Sequence, residues 1–226
     1  VMEAFVHAGV ENNARVNIKW IQTEKIKNLK DVEKVFSNIN GVLILPGFGS
    51  RGSEGKIKIV KYSRENKVPF LGICLGLQCA VIEFARNVCK MQGANSTEFN
   101  SKTQYPVIDL MESQRAIKIK GGTMRLGAYE CEIKVGTKAY SAYKTKKISE
   151  RHRHRYEVNN RYKKMLEKNG MVFSGINQEL RVVETIEVKN HPWFIASQFH
   201  PELKSRINKA HPLFREFIKA AVKNSL

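Results

Sequence analysis

Two short apolar runs constrain this chain most. Gly41 to Leu45 (GVLIL) and Val68 to Ile73 (VPFLGI) carry no charge, and each leads into a glycine-bearing turn. Uncharged runs of this length, bounded by turns, mark strands buried on both faces, as in a parallel sheet. Beyond each turn the residue spacing becomes helical. Glu54 to Asn66 comes after the loop Pro46-Gly47-Phe48-Gly49-Ser50-Arg51-Gly52-Ser53, and Leu75 to Val88 places Leu77, Val81, Phe84 and Val88 on one stripe. Strand, loop, helix, strand, helix predicts an α/β fold with a doubly wound, mostly parallel central sheet flanked by helices.

The rest of the chain adds to this frame. Val1 to Val10 and Asp31 to Ile39 have helical spacing, and Arg15 to Ile21 (RVNIKWI) alternates like a strand. In the second half, Tyr105 to Leu110, Glu130 to Val135, Val172 to Gly175, Arg181 to Val188 and Trp193 to Phe199 read as extra, antiparallel strands. Asn160 to Asn169 and His211 to Lys223 read as helices. No repeat or linker interrupts residues 1–226, so one domain is expected.

Composition excludes several classes. Hydrophobic residues make up 42% and charged residues 27% of the 226, which is the balance of a globular core rather than of a disordered chain. The longest uncharged apolar run, Trp193 to Phe199, is too short to cross a bilayer, so no membrane partner is expected. Four cysteines without Cys-x-x-Cys spacing argue against a metal site and a disulfide framework, and for free thiols in a reducing cytoplasm. The net charge of +18 gathers in residues 101–170, with 17 Lys+Arg against 7 Asp+Glu. A basic face attracts anions, but no zinc-finger spacing or helix-turn-helix signature points to nucleic acid.

The sharpest chemical feature is Gly72-Ile73-Cys74-Leu75-Gly76, where the second apolar run meets its helix. A turn this tight strains the central residue, and flanking glycines remove clashing side chains. Cys74 is therefore expected at the top of the sheet as a nucleophile, with the N-terminal amides of the following helix favouring the thiolate. Among the six histidines, His200 follows a strand directly, at the end where doubly wound sheets place their sites. Glu202, two residues on in an extended segment, is placed to orient the imidazole. Acyl transfer also needs two N–H donors for the oxyanion. Leu75 is one candidate, and Gly47 or Phe48 the other. Pro46 to Gly52 also reads as a phosphate cradle, although it lacks the established glycine patterns for one.

With these pieces in place, the sequence resembles the class I glutamine amidotransferases and, within them, the glutaminase domains of CTP synthases. The segments carrying the resemblance are Pro46 to Gly52, Gly72 to Gln78, Asn95-Ser96-Thr97-Glu98-Phe99, Gly121 to Gly127 (GGTMRLG), Arg151 to Asn160 (RHRHRYEVNN) and Gln198-Phe199-His200-Pro201-Glu202. The resemblance implies that Cys74 attacks the glutamine amide, His200 moves its protons, Glu202 orients His200, and Gly47 and Leu75 form the oxyanion hole. Gly76, Leu77, Gln78, Glu98 and Arg155 match positions around the bound glutamine. It implies no cofactor in this domain. It also implies a synthetase domain of the same polypeptide that takes ATP, Mg and UTP, assembly as a homotetramer, and GTP as an activator. Leu45-Pro46-Gly47-Phe48-Gly49 has one glycine fewer than the family's loop, and the link between Leu110 and Gly121, where GTP would act, is short. The chain opens on Val1, and the family's opening strand and synthetase domain precede that point. Two other readings are a stand-alone γ-glutamyl hydrolase and a non-catalytic, nucleotide-binding relative. Activity on glutamine rather than folate polyglutamate, or no activity at all, would separate them.

Overall fold

In a computed structural model, residues 1–110 and 124–225 are described. Helix α1 (Met2–Glu11) opens the chain. Helix α2 (Leu29–Phe36) starts at a reciprocal cap, in which Asn28 accepts from the Asp31 amide and Asp31 accepts from the Asn28 amide, both at 3.1 Å. Then come β1 (Val42–Ile44), α3 (Ser53–Glu65), β2 (Phe70–Ile73) and α4 (Leu75–Asn87), the rhythm expected from the two apolar runs. The second half holds β3 (Asn95–Ser96), β4 (Pro106–Leu110), β5 (Arg125–Ile133), α5 (Lys138–Tyr143), β6 (Lys147–His154) and β7 (Tyr156–Val158). It ends with α6 (Lys163–Lys168), β8 (Met171–Asn177), β9 (Val182–Val188), β10 (Phe194–Ser197) and α7 (Pro212–Lys223).

Seven strands form one sheet in the order β1-β2-β10-β9-β8-β5-β6. The parallel part is confined to β1, β2 and β10; β9, β8, β5 and β6 pair antiparallel beyond them. The sheet is thus mixed, with its antiparallel strands in the second half as expected and its parallel share smaller. A small sheet, β3-β4-β7, stands apart. Helices cover both faces. One core joins Val32, Ile57, Val60, Leu77, Val81 and Phe84 to the sheet, and the other joins Phe5, Leu71, Ile73, Phe199, Phe214 and Phe217.

Arg15 to Ile21 is not a strand. Its alternation is real, but among the described residues no neighbour pairs with its backbone: the sheet ends at β1, and a cleft of about 800 Å³ lies between the two. Trp20 and Ile18 are left exposed there. Strand β6 escaped sequence reading for the opposite reason. Its inward residues are Glu150, His152 and His154, which are polar, so no hydrophobic alternation announces it. The 111–120 link and the Gly121-Gly122-Thr123 stretch of the resemblance lie outside the described residues.

Candidate active site

Strand β2 hands Cys74 to the site through a strained turn. Cys74 has φ 54° and ψ −101°, a conformation that costs a non-glycine residue of order 1–3 kcal/mol and persists only where its surroundings impose it. The turn is clamped from both sides. The Cys74 amide donates to the Ser197 carbonyl of β10 at 2.7 Å, and the Cys74 carbonyl accepts from the amides of Leu77 and Gln78 at 3.0 and 3.3 Å. The flanking glycines have steric reasons. A Cβ on Gly72 would stand 2.8 Å from the Ala196 Cβ and from the Gly76 backbone, and one on Gly76 would stand 2.5 Å from the Ile44 carbonyl oxygen.

The thiol is not exposed above the sheet as the elbow suggested; Cys74 is buried. Burial pushes it up to about 12, and the carboxylates of Glu157, Glu202 and Glu98 push the same way, against a backbone hydrogen bond from Leu75 that lowers it. The helix amide therefore acts in the expected direction but is outweighed by desolvation, and the resting group is a thiol. A base is required. His200 begins a single 3-10 turn, Pro201–Leu203, rather than an extended run, and this turn brings the Glu202 carboxylate to His200 Nδ1 at 2.8 Å. The other ring nitrogen, Nε2, is buried with no hydrogen-bond partner among the described residues. The His200 amide donates to the Arg151 carbonyl of β6 at 2.8 Å, which fixes the ring's base.

The glycine loop after β1 lies against the helix start: a Cβ on Gly47 would stand 3.2 Å from Leu75 Cδ2. Gly49 donates its amide to Glu98 Oε1 at 2.8 Å, so Glu98 is tied to the loop. Burial raises the Glu98 carboxyl, while the Gly49 amide and the Arg155 charge lower it. Gly76, Leu77 and Gln78 are buried in the first turn of α4. Gln78 Nε2 donates to the Tyr156 carbonyl at 3.3 Å, leaving Gln78 Oε1 buried without a partner among the described residues, as is Arg155 Nε. The sequence-expected residues thus come from five separate stretches of chain: the Gly47 loop, Cys74 to Gln78, Glu98, Arg155, and His200 with Glu202. A buried acceptor and two buried nitrogens that lack protein partners suit a ligand carrying its own polar groups. Among the described residues, no cluster of His, Cys, Asp and Glu has the makings of a metal site.

Sequence reasoning gave no role to the layer behind the thiol. Arg125 bridges Glu157 and Glu184 at 2.9 and 2.8 Å, and His152 Nδ1 lies 2.8 Å from His154 Nε2. The Arg153 carbonyl lies 4.0 Å from the sulfur, and the Gln198 side-chain nitrogen 3.6 Å. The period-two His152 and His154 in Arg151 to Arg155 were the available signal for an inward-facing strand.

Residues 1–220 match the family profile described as glutamine amidotransferase class-I. The CTP synthases of Pelodictyon phaeoclathratiforme and Chlorobaculum tepidum are 59% and 55% identical over 222 residues, covering 98% of this chain but 39% of each relative. The chain therefore spans about two fifths of the length of these relatives. The glutaminase domain of Trypanosoma brucei CTPS, solved with bound acivicin, superposes with a TM-score of 0.92 at 33% identity, covering 98% of this chain and 86% of that one. With the strained Cys74 turn and the His200–Glu202 pair in one site, the chain belongs to the class I glutamine amidotransferases, among the glutaminase domains of CTP synthases.

Proposed function

We propose that this chain hydrolyses the side-chain amide of L-glutamine through a γ-glutamyl thioester on Cys74. The observation that carries the reading is a buried thiol on a strained strand-to-helix turn, within reach of the Glu202 charge, with Glu202 orienting an imidazole whose second nitrogen has no hydrogen-bond partner among the described residues. His200 Nε2 takes the thiol proton as sulfur adds to the amide carbon, then gives it to the departing nitrogen, which leaves as ammonia. Water, activated by the same imidazole, cleaves the thioester to glutamate. Backbone amides of Gly47 and Leu75 hold the oxyanion in both steps. Glu98 pairs with the substrate α-ammonium, Arg155 with its α-carboxylate, and Gln78 with its remaining polar edge, beside Gly76 and Leu77.

The ammonia serves a synthetase domain of the same polypeptide, which takes ATP, Mg and UTP and aminates UTP to CTP in a cytoplasmic homotetramer. Sequence identity to CTP synthases supports this partner. No helix among the described residues is long and apolar enough to cross a membrane.

The test is glutamine hydrolysis by the chain and by Cys74→Ala. The variant is expected to lose hydrolysis entirely and, in the full-length enzyme, to retain CTP formation from free ammonia. A glutamine-derived adduct on Cys79, Cys89 or Cys131 would overturn the assignment; burial raises all three thiols.

A further inference from the structure

We propose that Gln198 is a catalytic residue of this site: its side-chain amide donates an N–H to the Cys74 sulfur and stabilises the thiolate that attacks the substrate. Gln198 is fully buried one residue beyond β10. Its Nε2 lies 3.6 Å from Cys74 Sγ, within hydrogen-bond range for sulfur, and its Oε1 has no partner among the described residues. The backbone holds the pair in register from both sides. Ser197 accepts the Cys74 amide at 2.7 Å, and Gln198 donates its own amide to the Glu184 carbonyl at 2.8 Å.

A buried amide whose one side-chain hydrogen bond goes to sulfur is a poor packing residue. It leaves an acceptor unmet, which an apolar side chain of equal size would avoid. It makes sense as a donor to a developing negative charge, because hydrogen bonds to charged groups are about twice as strong as neutral ones. The site needs such a donor. Burial and three carboxylates oppose the thiolate, and the backbone hydrogen bond from Leu75 is the other group working for it.

This assignment rests on Cys74 being the nucleophile, and the experiment separates the two. Alkylation of the full chain by iodoacetamide is followed against pH without glutamine, with the labelled cysteine identified by mass. Steady-state glutamine hydrolysis is measured alongside. In Gln198→Met, which keeps the bulk and removes the donor, the rate of Cys74 alkylation at a given pH is expected to fall about tenfold, and kcat to fall roughly tenfold with KM nearly unchanged. In Gln198→Glu, which is isosteric, the carboxylate repels the thiolate and the fall is expected to be larger. The isosteric variant and a thermal denaturation curve for each protein guard against a folding defect. Alkylation profiles of both folded variants that superpose on that of the parent chain would overturn the role of Gln198. Glutamine hydrolysis that survives Cys74→Ala would instead remove the reading on which it rests.

Discussion

At the scale of single residues, the site is held together by groups whose hydrogen-bonding capacity is left open. Arg155 is the clearest case. Its Nε is buried without a partner, and its charge acts on Glu98 across the site. A guanidinium kept this way gains its full hydrogen bonding from a bound carboxylate. Arg155→Ala is expected to raise KM for glutamine at least as much as it lowers kcat. The loss in kcat/KM should be about 1.5–3 kcal/mol, or roughly ten- to a hundredfold. Steady-state kinetics decide this, and an unchanged kcat/KM would leave Arg155 as a member of the basic run Arg151 to Arg155 without a role in binding.

Two element-scale features set how precisely those residues are placed. The first is the contact between α4 and β1 at Gly76, where a Cβ would meet the Ile44 carbonyl at 2.5 Å. Alanine is the better helix former there, by about 1 kcal/mol, but the clash is with backbone, so the strand must move. Gly76→Ala is expected to cost about 1–3 kcal/mol of stability. It should lower kcat further, because β1 leads directly into the Gly47 loop. Urea denaturation beside kinetics separates the two effects; wild-type kcat in the variant would show that the loop does not depend on this contact.

The second feature is the Arg125–Glu157–Glu184 bridge linking β5, β7 and β9. Burial, opposed by Arg125 and helped by Glu184, pushes Glu157 up to about 8; burial likewise pushes Glu184 up to about 7. The folded state therefore keeps protons that an unfolded glutamate releases near pH ~4.3, and stability from these groups falls as pH rises from there through about 8. His152, lowered to about 2 mainly by burial, and His154, lowered in the same way, act oppositely. Their contribution is complete above the unfolded histidine value of about 6.5 and is lost as pH falls below it. Between about pH 6.5 and 8 the carboxylates dominate, so stability is expected to decline across that window, and to decline less in Glu157→Gln. Thermal unfolding at the two ends gives the answer, and equal slopes for the two proteins would rule it out.

On the scale of the whole molecule, the candidate site hangs on one end of the seven-stranded sheet. Strand β1 carries the Gly47 loop and ends the sheet, its outer side facing a cleft of about 800 Å³ with the extended segment 15–22 beyond it. The cleft walls include Phe5, Ile21, Leu43 and Phe217. An added strand lying parallel to β1 would pair its free backbone edge and fill this space. A chain extended at its N-terminus by a segment that supplies such a strand is therefore expected to melt higher and hydrolyse glutamine faster. Adding the synthetase domain should raise turnover again. Equal melting temperatures and equal turnover in all three forms would show that β1 needs no neighbour.

How much of this was legible in the sequence depends on the range over which each signal acts. The β2–α4 elbow was readable because its glycines, apolar strand and helical stripe lie within about twenty consecutive positions, and local sterics dictate the turn. His200 and Glu202 were readable for the same reason, although a 3-10 turn rather than an extended run brings them together. Arg15 to Ile21 failed because alternation specifies a face, whereas a strand also needs a partner, and its partner edge lies across an open cleft. Strand β6 and the histidine layer failed because polar residues face inward there, and their partners come from distant segments: Glu184 and Glu157 for His152 and His154, and Tyr143 and His211 for Glu150. The strained Cys74 turn, proposed to carry the nucleophile, and the His200–Glu202 pair, proposed as its base, were thus legible in the sequence by itself. The protonation of that nucleophile, and the Gln198 amide set against it, were decided by tertiary structure, because burial and hydrogen bonding depend on which distant segments close around the sulfur.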